Sequence, residues 1–161
     1  MSDWIEAGAE APGFTLSDSD GNRVTLSDLR GSPVVLYFYP RDDTPGCTAE
    51  ACAFRDRREQ LSGLGVKILG VSPDDAESHQ KFRDKFALNF PLLVDTEHKV
   101  AEKYGAWREK VRFGKPSMGI QRSTFLIDAQ GVVRKAWKNV SVDGHDEEVI
   151  AAVRELLVIA S

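Results

Sequence analysis

The sequence predicts an α/β domain with a mixed central β-sheet flanked by helices and a β-hairpin at its N-terminus. Three observations carry that prediction. Pro33 to Tyr39 is an unbroken apolar, β-branched and aromatic run bounded by Gly31 and Pro40, the pattern of a strand buried on both faces. Val66 to Val71 and Phe90 to Val94 repeat the strand signal with helical stretches between and after them, a βαβαβα rhythm that builds parallel sheets. Thr124 to Asp128, Ala129-Gln130-Gly131 and Val132 to Trp137 then read as strand, tight turn and strand, adding an antiparallel hairpin that makes the sheet mixed.

Taken in order, Phe14-Thr15-Leu16, Asp20-Gly21 and Val24-Thr25-Leu26 form the N-terminal hairpin, and Ser27 to Gly31 is a capped turn leading into the first buried strand. Beyond that strand, Thr44 suits an N-cap and Pro45 the first helical position, and the helix closes at Leu61-Ser62-Gly63. Ser72-Pro73-Asp74 sets up a second helix with a cap and an N1 proline, running to about Ala87 with Phe82, Phe86, His79 and Ala76 on its core stripe. Thr96 to Tyr104 is a third helix, with Val100 and Tyr104 inward and Gly105 as its stop. Trp107 to Gly119 shows no clear period and reads as a loop. From His145 onward, acids in the first turn followed by Val149, Ala152, Val153, Leu156 and Leu157 give an amphipathic C-terminal helix.

A length of 161 residues suits one domain, and neither a linker-like composition shift nor an internal repeat divides it. Two cysteines do not make a secreted disulfide framework, so they are expected reduced, in a cytoplasmic setting. The start of the chain has no targeting pattern, and no apolar run reaches membrane-spanning length. The net charge of −4 and pI near 5.4, with basic residues interleaved among acids, argue against a nucleic-acid partner.

Both cysteines lie between Tyr39 and the first turns of the predicted helix, in Tyr-Pro-Arg-Asp-Asp-Thr-Pro-Gly-Cys-Thr-Ala-Glu-Ala-Cys. A buried free cysteine is commonly a small hydrophobe. Cys47 departs from that reading because it follows Pro45-Gly46 at the carboxyl end of a strand, where open α/β sheets place ligands. It also falls in the first turn of a helix, where free N–H groups and the dipole favour a thiolate. A structural zinc site needs four ligands, whereas the chain offers two cysteines and the scattered His79, His98 and His145. No local signature supports a histidine base for a cysteine hydrolase. Four residues separate Cys47 from Cys52, against two in a thioredoxin-type exchanger. On an ideal helix, residues five apart have Cα atoms about 8.7 Å from each other. A disulfide usually needs less than about 7 Å, so bonding Cys47 to Cys52 would require the helix to unwind. On the residues alone, a thiol-disulfide oxidoreductase and a redox-sensing binding module both stay open.

With Pro40, Thr44, Pro45, Gly46, Cys47, Glu50 and Cys52 in register, and Arg122 to Asp128 further on, nearly the whole chain resembles a peroxiredoxin of the bacterioferritin comigratory protein or peroxiredoxin Q group. The resemblance implies a thioredoxin-like fold and thiol-dependent reduction of hydrogen peroxide and organic hydroperoxides, with no cofactor or metal. It implies Cys47 as the peroxidatic nucleophile and Cys52 as the resolving thiol. Thr44 would hydrogen-bond the thiolate or peroxide, Arg122 would stand beside the sulfur, and Pro40 would shield the pocket. Backbone N–H groups near Gly46 and the side chain of Glu50 would complete the network. It further implies a thioredoxin-like reductant and a monomer. Without the resemblance, Thr44 reads as an N-cap, Arg122 as a solvated strand-end arginine, Glu50 as a helix N-terminal acid and Cys52 as a bystander.

Overall fold

The structure, a computed structural model, describes residues 3–160. Its centre is β3 (Val34–Phe38), every residue of which is buried. On one side β3 pairs in parallel with β4 (Lys67–Ser72), which pairs in parallel with β5 (Leu92–Val94). On the other it pairs antiparallel with β8 (Ser123–Ile127), itself antiparallel to β9 (Val133–Trp137). The order β5-β4-β3-β8-β9 is the mixed sheet the sequence predicts.

Alternation along β3 divides the core in two. Val35, Tyr37 and Tyr39 face a cluster holding Ala51 and Phe54 of α1 (Pro45–Gly63), Phe82 of α2 (Ala76–Phe86), and Val149 and Val153 of α4 (His145–Ala160). Val34, Leu36 and Phe38 face Phe14, Leu26 and the residues Val100 and Tyr104 of α3 (Lys99–Tyr104). Gly70 of β4 carries no side chain because Tyr37 fills its place: a Cβ there would lie 2.9 Å from the tyrosine oxygen. The expected N-terminal hairpin is β1 (Thr15–Ser17) with β2 (Arg23–Thr25). Among the described residues no helix is long and apolar enough to cross a membrane.

Three local expectations are corrected. Trp107 to Gly119 is not a loop but a ribbon of β6 (Trp107–Arg112) and β7 (Lys115–Ile120), turning through Phe113 and Gly114, both at positive φ. That is the two-residue hairpin geometry, made here by Phe-Gly rather than Asn-Gly. α2 starts at Ala76, not at Pro73: Asp75 is its N-cap, accepting from the Ser78 N–H at 2.9 Å. Ser72 is the last residue of β4, and its hydroxyl donates to Asp74 instead of capping a helix. α3 begins at Lys99 rather than Thr96, because Asp95 accepts from the N–H groups of Val100 and Ala101 and so caps the helix from further upstream.

Candidate active site

Leaving β3, the chain passes half-buried Pro40 and is fixed at Asp42. The Asp42 carboxylate accepts from the Tyr39 hydroxyl (2.6 Å), the Ser78 hydroxyl (2.8 Å) and His79 Nδ1 (2.7 Å), while its own N–H donates to Asp74 (2.7 Å). His79 is fully buried and its Nε2 faces the Leu93 carbonyl at 2.9 Å. An acceptor at each ring nitrogen favours the doubly protonated ring. Burial works against that charge, but Asp42 outweighs it and holds His79 above its ordinary value. The ligand atoms of Asp42, Asp74 and His79 lie within 4.8 Å of one another, yet both nitrogens of the His79 ring already face acceptors, Asp42 and the Leu93 carbonyl.

Thr44 is the N-cap of α1 in its backbone, which is extended, and its carbonyl accepts from the Thr48 N–H at 2.8 Å. Its hydroxyl makes no capping bond; it donates to the Arg41 carbonyl at 2.9 Å. Pro45 takes the first helical position and Cys47 follows in the first turn, 1% exposed. Position alone aims the unpaired N–H groups of that turn toward the sulfur's surroundings.

Arg122 arrives from the other end of the chain. It sits between β7 and β8, and because Ser123 pairs with Phe38, the strand register brings it beside the loop that β3 feeds. Its Nη2 donates to Cys47 Sγ at 3.2 Å and its Nη1 to Glu50 Oε1 at 2.7 Å. The guanidinium thus bridges two groups one helical turn apart on α1. Burial opposes the Arg122 charge, but Glu50 and Cys47 together hold it above its ordinary value. Gly46 leaves room for this, since a Cβ there would meet Nη2 at 3.0 Å.

Glu50 is 2% exposed, and its second carboxyl oxygen has no hydrogen-bond partner among the described residues. Burial pushes its carboxyl from 4.5 up to about 7, against the opposing pull of Arg122. The Tyr37 hydroxyl is likewise buried without a partner among the described residues, and burial, followed by the charges of Glu50 and Cys47, holds it well above its ordinary range. Cys47 and Cys52 are both free thiols on the same unbroken helix, Cys47 buried and Cys52 half-buried.

The structure therefore gathers Cys47, Gly46, Glu50 and Arg122 into one contact set, with Thr44 at its edge and Cys52 more than one helical turn along. Sequence reasoning missed Asp42, His79 and Tyr37. His79 on the core stripe of α2 was the available signal, because a buried imidazole needs a polar partner.

A cysteine in the first turn of a helix, paired with a half-buried arginine on a mixed α/β sheet, is the arrangement of a thiol-based oxidoreductase. A sequence model of the AhpC/TSA family matches residues 7–136. The chain is 50% identical over 152 residues to peroxiredoxin Bcp of Bacillus subtilis, covering 94% of this chain and 97% of that one. It superposes on PrxQ of Xylella fastidiosa with a TM-score of 0.89, at 33% identity over the full length of both chains. The bacterioferritin comigratory protein of Xanthomonas campestris, studied for its alkyl peroxide reduction activity, matches with a TM-score of 0.86 and 37% identity over 96% of this chain and 98% of that one. The chain belongs to the AhpC/TSA family, within its group of Bcp and peroxiredoxin Q proteins. It has the thioredoxin-like fold of these structures and is a thiol-dependent peroxidase acting on peroxides.

Proposed function

We propose that Cys47 is the peroxidatic residue and Cys52 the resolving one. The observation that carries this reading is the single guanidinium of Arg122, which donates to the Cys47 sulfur and to buried Glu50 at once. A cation fixed beside the sulfur stabilises its anion and also the charge that moves onto the departing oxygen, so it acts where the transition state differs most from the ground state. The Cys47 thiolate attacks one oxygen of the hydroperoxide; the S–O bond forms, the O–O bond breaks, and the leaving oxygen takes a proton to become alcohol or water. With its own proton committed to the Arg41 carbonyl, the Thr44 oxygen accepts from the hydroperoxide O–H and orients it. Pro40 and Gly46 form the walls of the approach.

The Cys47 sulfenic acid then condenses with Cys52, releasing water and forming a disulfide. This step requires the first turns of α1 to unwind, since Cα atoms about 8.7 Å apart on a helix exceed disulfide reach. A thioredoxin-like dithiol restores both thiols by exchange. Hydrogen peroxide and organic hydroperoxides are the substrates, and the protein works as a cytoplasmic, single-domain monomer.

The test is one turnover of fully reduced protein with one equivalent of hydrogen peroxide, followed by intact mass and thiol count. Wild type is expected to lose two hydrogens and both thiols, Cys52→Ser to stop at one added oxygen, and Cys47→Ser to stay unchanged. A wild type that reacts no faster than a free thiol, or a Cys47→Ser variant that keeps turning over peroxide, overturns the reading.

A further inference from the structure

The ribbon of β6 and β7 is sorted by its own register. Trp107 pairs with Ile120, Glu109 with Met118 and Val111 with Pro116, whereas Arg108 pairs with Gly119, Lys110 with Ser117 and Arg112 with Lys115. Directly opposed residues share a face and successive positions change face. One face is therefore apolar apart from Glu109, and the basic positions fall on the other. The base of the ribbon is covered: Ile120 is buried, Trp107 stacks on His98 at 3.7 Å, and Arg108 lies over the Trp4 ring at 4.9 Å. Further out the apolar residues are open to solvent. Val111 is 71% exposed, Met118 44% and Phe113, at the tip, 97%, and Pro116 is exposed with them. Charge is concentrated in the same segment. Arg108, Lys110, Arg112 and Lys115 stand against the single acid Glu109 in a chain whose net charge is −4, so the ribbon carries +3 and the rest of the protein −7.

We propose that this ribbon docks the protein on an anionic lipid bilayer, and that the hydroperoxides it brings to Cys47 are those of oxidised acyl chains. The substrate half rests on the assignment of Cys47 as the peroxidatic residue. An apolar tip with basic positions close behind it matches a bilayer interface, where apolar side chains enter about 5–10 Å and cations stay at the headgroups. At about 3.4 Å per residue, Val111 lies about 7 Å along the strand from Phe113 and Lys110 about 10 Å. The acidic body is repelled by the same surface, which confines contact to the ribbon. A protein partner fits less well, since a stable interface engages about 20–30 residues a side, more than two six-residue strands hold. The ribbon is also continuous with the site. β7 ends at Ile120, two residues before Arg122, whose guanidinium donates to Cys47, so docking tethers the pair to the bilayer by one strand, about 24 Å of extended chain from Lys115. A hydroperoxide group is polar and costly to leave in hydrocarbon without hydrogen bonds, so an oxidised acyl chain brings it to the interface. There the Cys47 thiolate attacks it: the S–O bond forms, the O–O bond breaks, and the lipid alkoxide takes a proton and leaves as the alcohol. Cys47 is oxidised to the sulfenic acid, and the dithiol reductant of the proposed cycle returns the two electrons.

The decisive variant is Phe113→Asn. Phe113 sits at positive φ and is followed by Gly114, also at positive φ; Asn-Gly is the favoured pair for such a turn, so the variant removes the apolar tip and keeps the hairpin. Reduced wild type and variants are co-sedimented with phosphatidylcholine vesicles, with and without added phosphatidylglycerol. Wild type is expected to bind the mixed vesicles at low salt, to be released at high salt and to ignore pure phosphatidylcholine. Phe113→Asn should weaken binding about tenfold and Lys115→Gln about fivefold. With a phospholipid hydroperoxide carried in the mixed vesicles, both variants should lose rate in the same proportions, while turning over hydrogen peroxide in solution as wild type does. Wild type left unbound by the mixed vesicles at low salt, or Phe113→Asn that binds them equally well, overturns the inference and leaves the peroxidase reading standing. A wild-type dimer that Phe113→Asn dissolves, with no vesicle binding, gives the ribbon to a second copy and overturns it too. Wild type that binds the vesicles yet reduces neither hydroperoxide overturns the peroxidase reading, and the lipid substrate with it.

Discussion

Glu50 is a carboxyl group with 2% exposure, one oxygen on Arg122 and the other without a partner among the described residues. Burial lifts it from 4.5 to about 7, and each pH unit of that difference corresponds to about 1.4 kcal/mol between the two protonation states. The ionised form is therefore disfavoured in the fold by about 3 kcal/mol. The sign follows from proton counts. Between pH 4.5 and 7 the folded protein holds this proton and the unfolded chain does not, so stability falls as pH rises through that window and is level above it. Between pH 5 and 8 the loss amounts to about 2.5 kcal/mol. Glu50→Gln removes the titration while keeping an oxygen for Arg122. Its amide nitrogen would occupy the place of the unpartnered oxygen, and an unsatisfied amide costs about 1–3 kcal/mol. The absolute stabilities of the two proteins can therefore be similar at one pH, and the decisive quantity is how their difference changes. Urea unfolding of reduced wild type and Glu50→Gln at pH 5, 6, 7 and 8 measures it. The variant is expected to gain about 2.5 kcal/mol on the wild type across that range. A difference constant to within about 0.5 kcal/mol would refute the buried, proton-holding carboxyl.

Arg122→Lys replaces a guanidinium that reaches Cys47 and Glu50 through separate nitrogens with one ammonium that cannot match that geometry. Stopped-flow peroxide reaction is expected to slow about 10²-fold; a loss of less than threefold would count against the bridging role. Asp42→Asn removes the counter-charge of fully buried His79, and urea unfolding should show a loss of about 3 kcal/mol. In the wild type the pair contributes stability that is full below pH 6.5, the ordinary value, and is lost as pH rises through the raised folded value of His79. An unchanged unfolding midpoint for the variant would show that the pair holds nothing together.

The parts of this fold that were legible are those written in local pattern. The apolar run around β3 and the Thr-Pro-Gly-Cys entry into α1 declare themselves within a few residues, because burial on both faces and helix initiation are short-range requirements. The ribbon at 107–120 was not legible: Val111 and Phe113 are 71% and 97% exposed, so no buried face imposed an alternation on it. The site divides in the same way. Cys47 is readable from its helix position, but its partner Arg122 lies 75 positions away and Glu50 pairs with it across 72. Only the family resemblance singled Arg122 out. The Asp42 and His79 contact spans 37 positions, and two adjacent aspartates in a polar loop look like a solvated turn until the sheet brings α2 against them.

The proposed cycle asks α1 for opposite properties, since the helix must hold Cys47 against Arg122 and yet open far enough for Cys52 to reach it. The distribution of burial along α1 reconciles them. Its buried residues are Cys47, Glu50, Ala51, Phe54 and Leu61, so no large apolar side chain is buried before Phe54. Fully burying a residue such as phenylalanine is worth about 1.5–3 kcal/mol, whereas alanine contributes a single methyl. Opening the first two turns thus gives up little apolar burial, and it returns Glu50 to water, which relieves the roughly 3 kcal/mol by which the fold disfavours its ionised form at neutral pH. Against this stand the backbone hydrogen bonds of the opened turns, each worth about 0.5–1.5 kcal/mol net, and the Arg122 pairing with Glu50 and Cys47. Upstream the chain is fixed by the four hydrogen bonds of Asp42, and downstream by Phe54 and by Arg55, whose guanidinium donates to the Phe86 carbonyl. Motion is confined to the stretch between those points, which contains both sulfurs and the one carboxyl group whose burial is unfavourable. In the proposed cycle Arg122, which bonds both Cys47 and Glu50, holds that stretch closed, and oxidation of Cys47 to a sulfenic acid changes one of its two partners. On this proposal the chemistry at the sulfur alters the contact that holds the helix shut, in the same event that makes opening necessary.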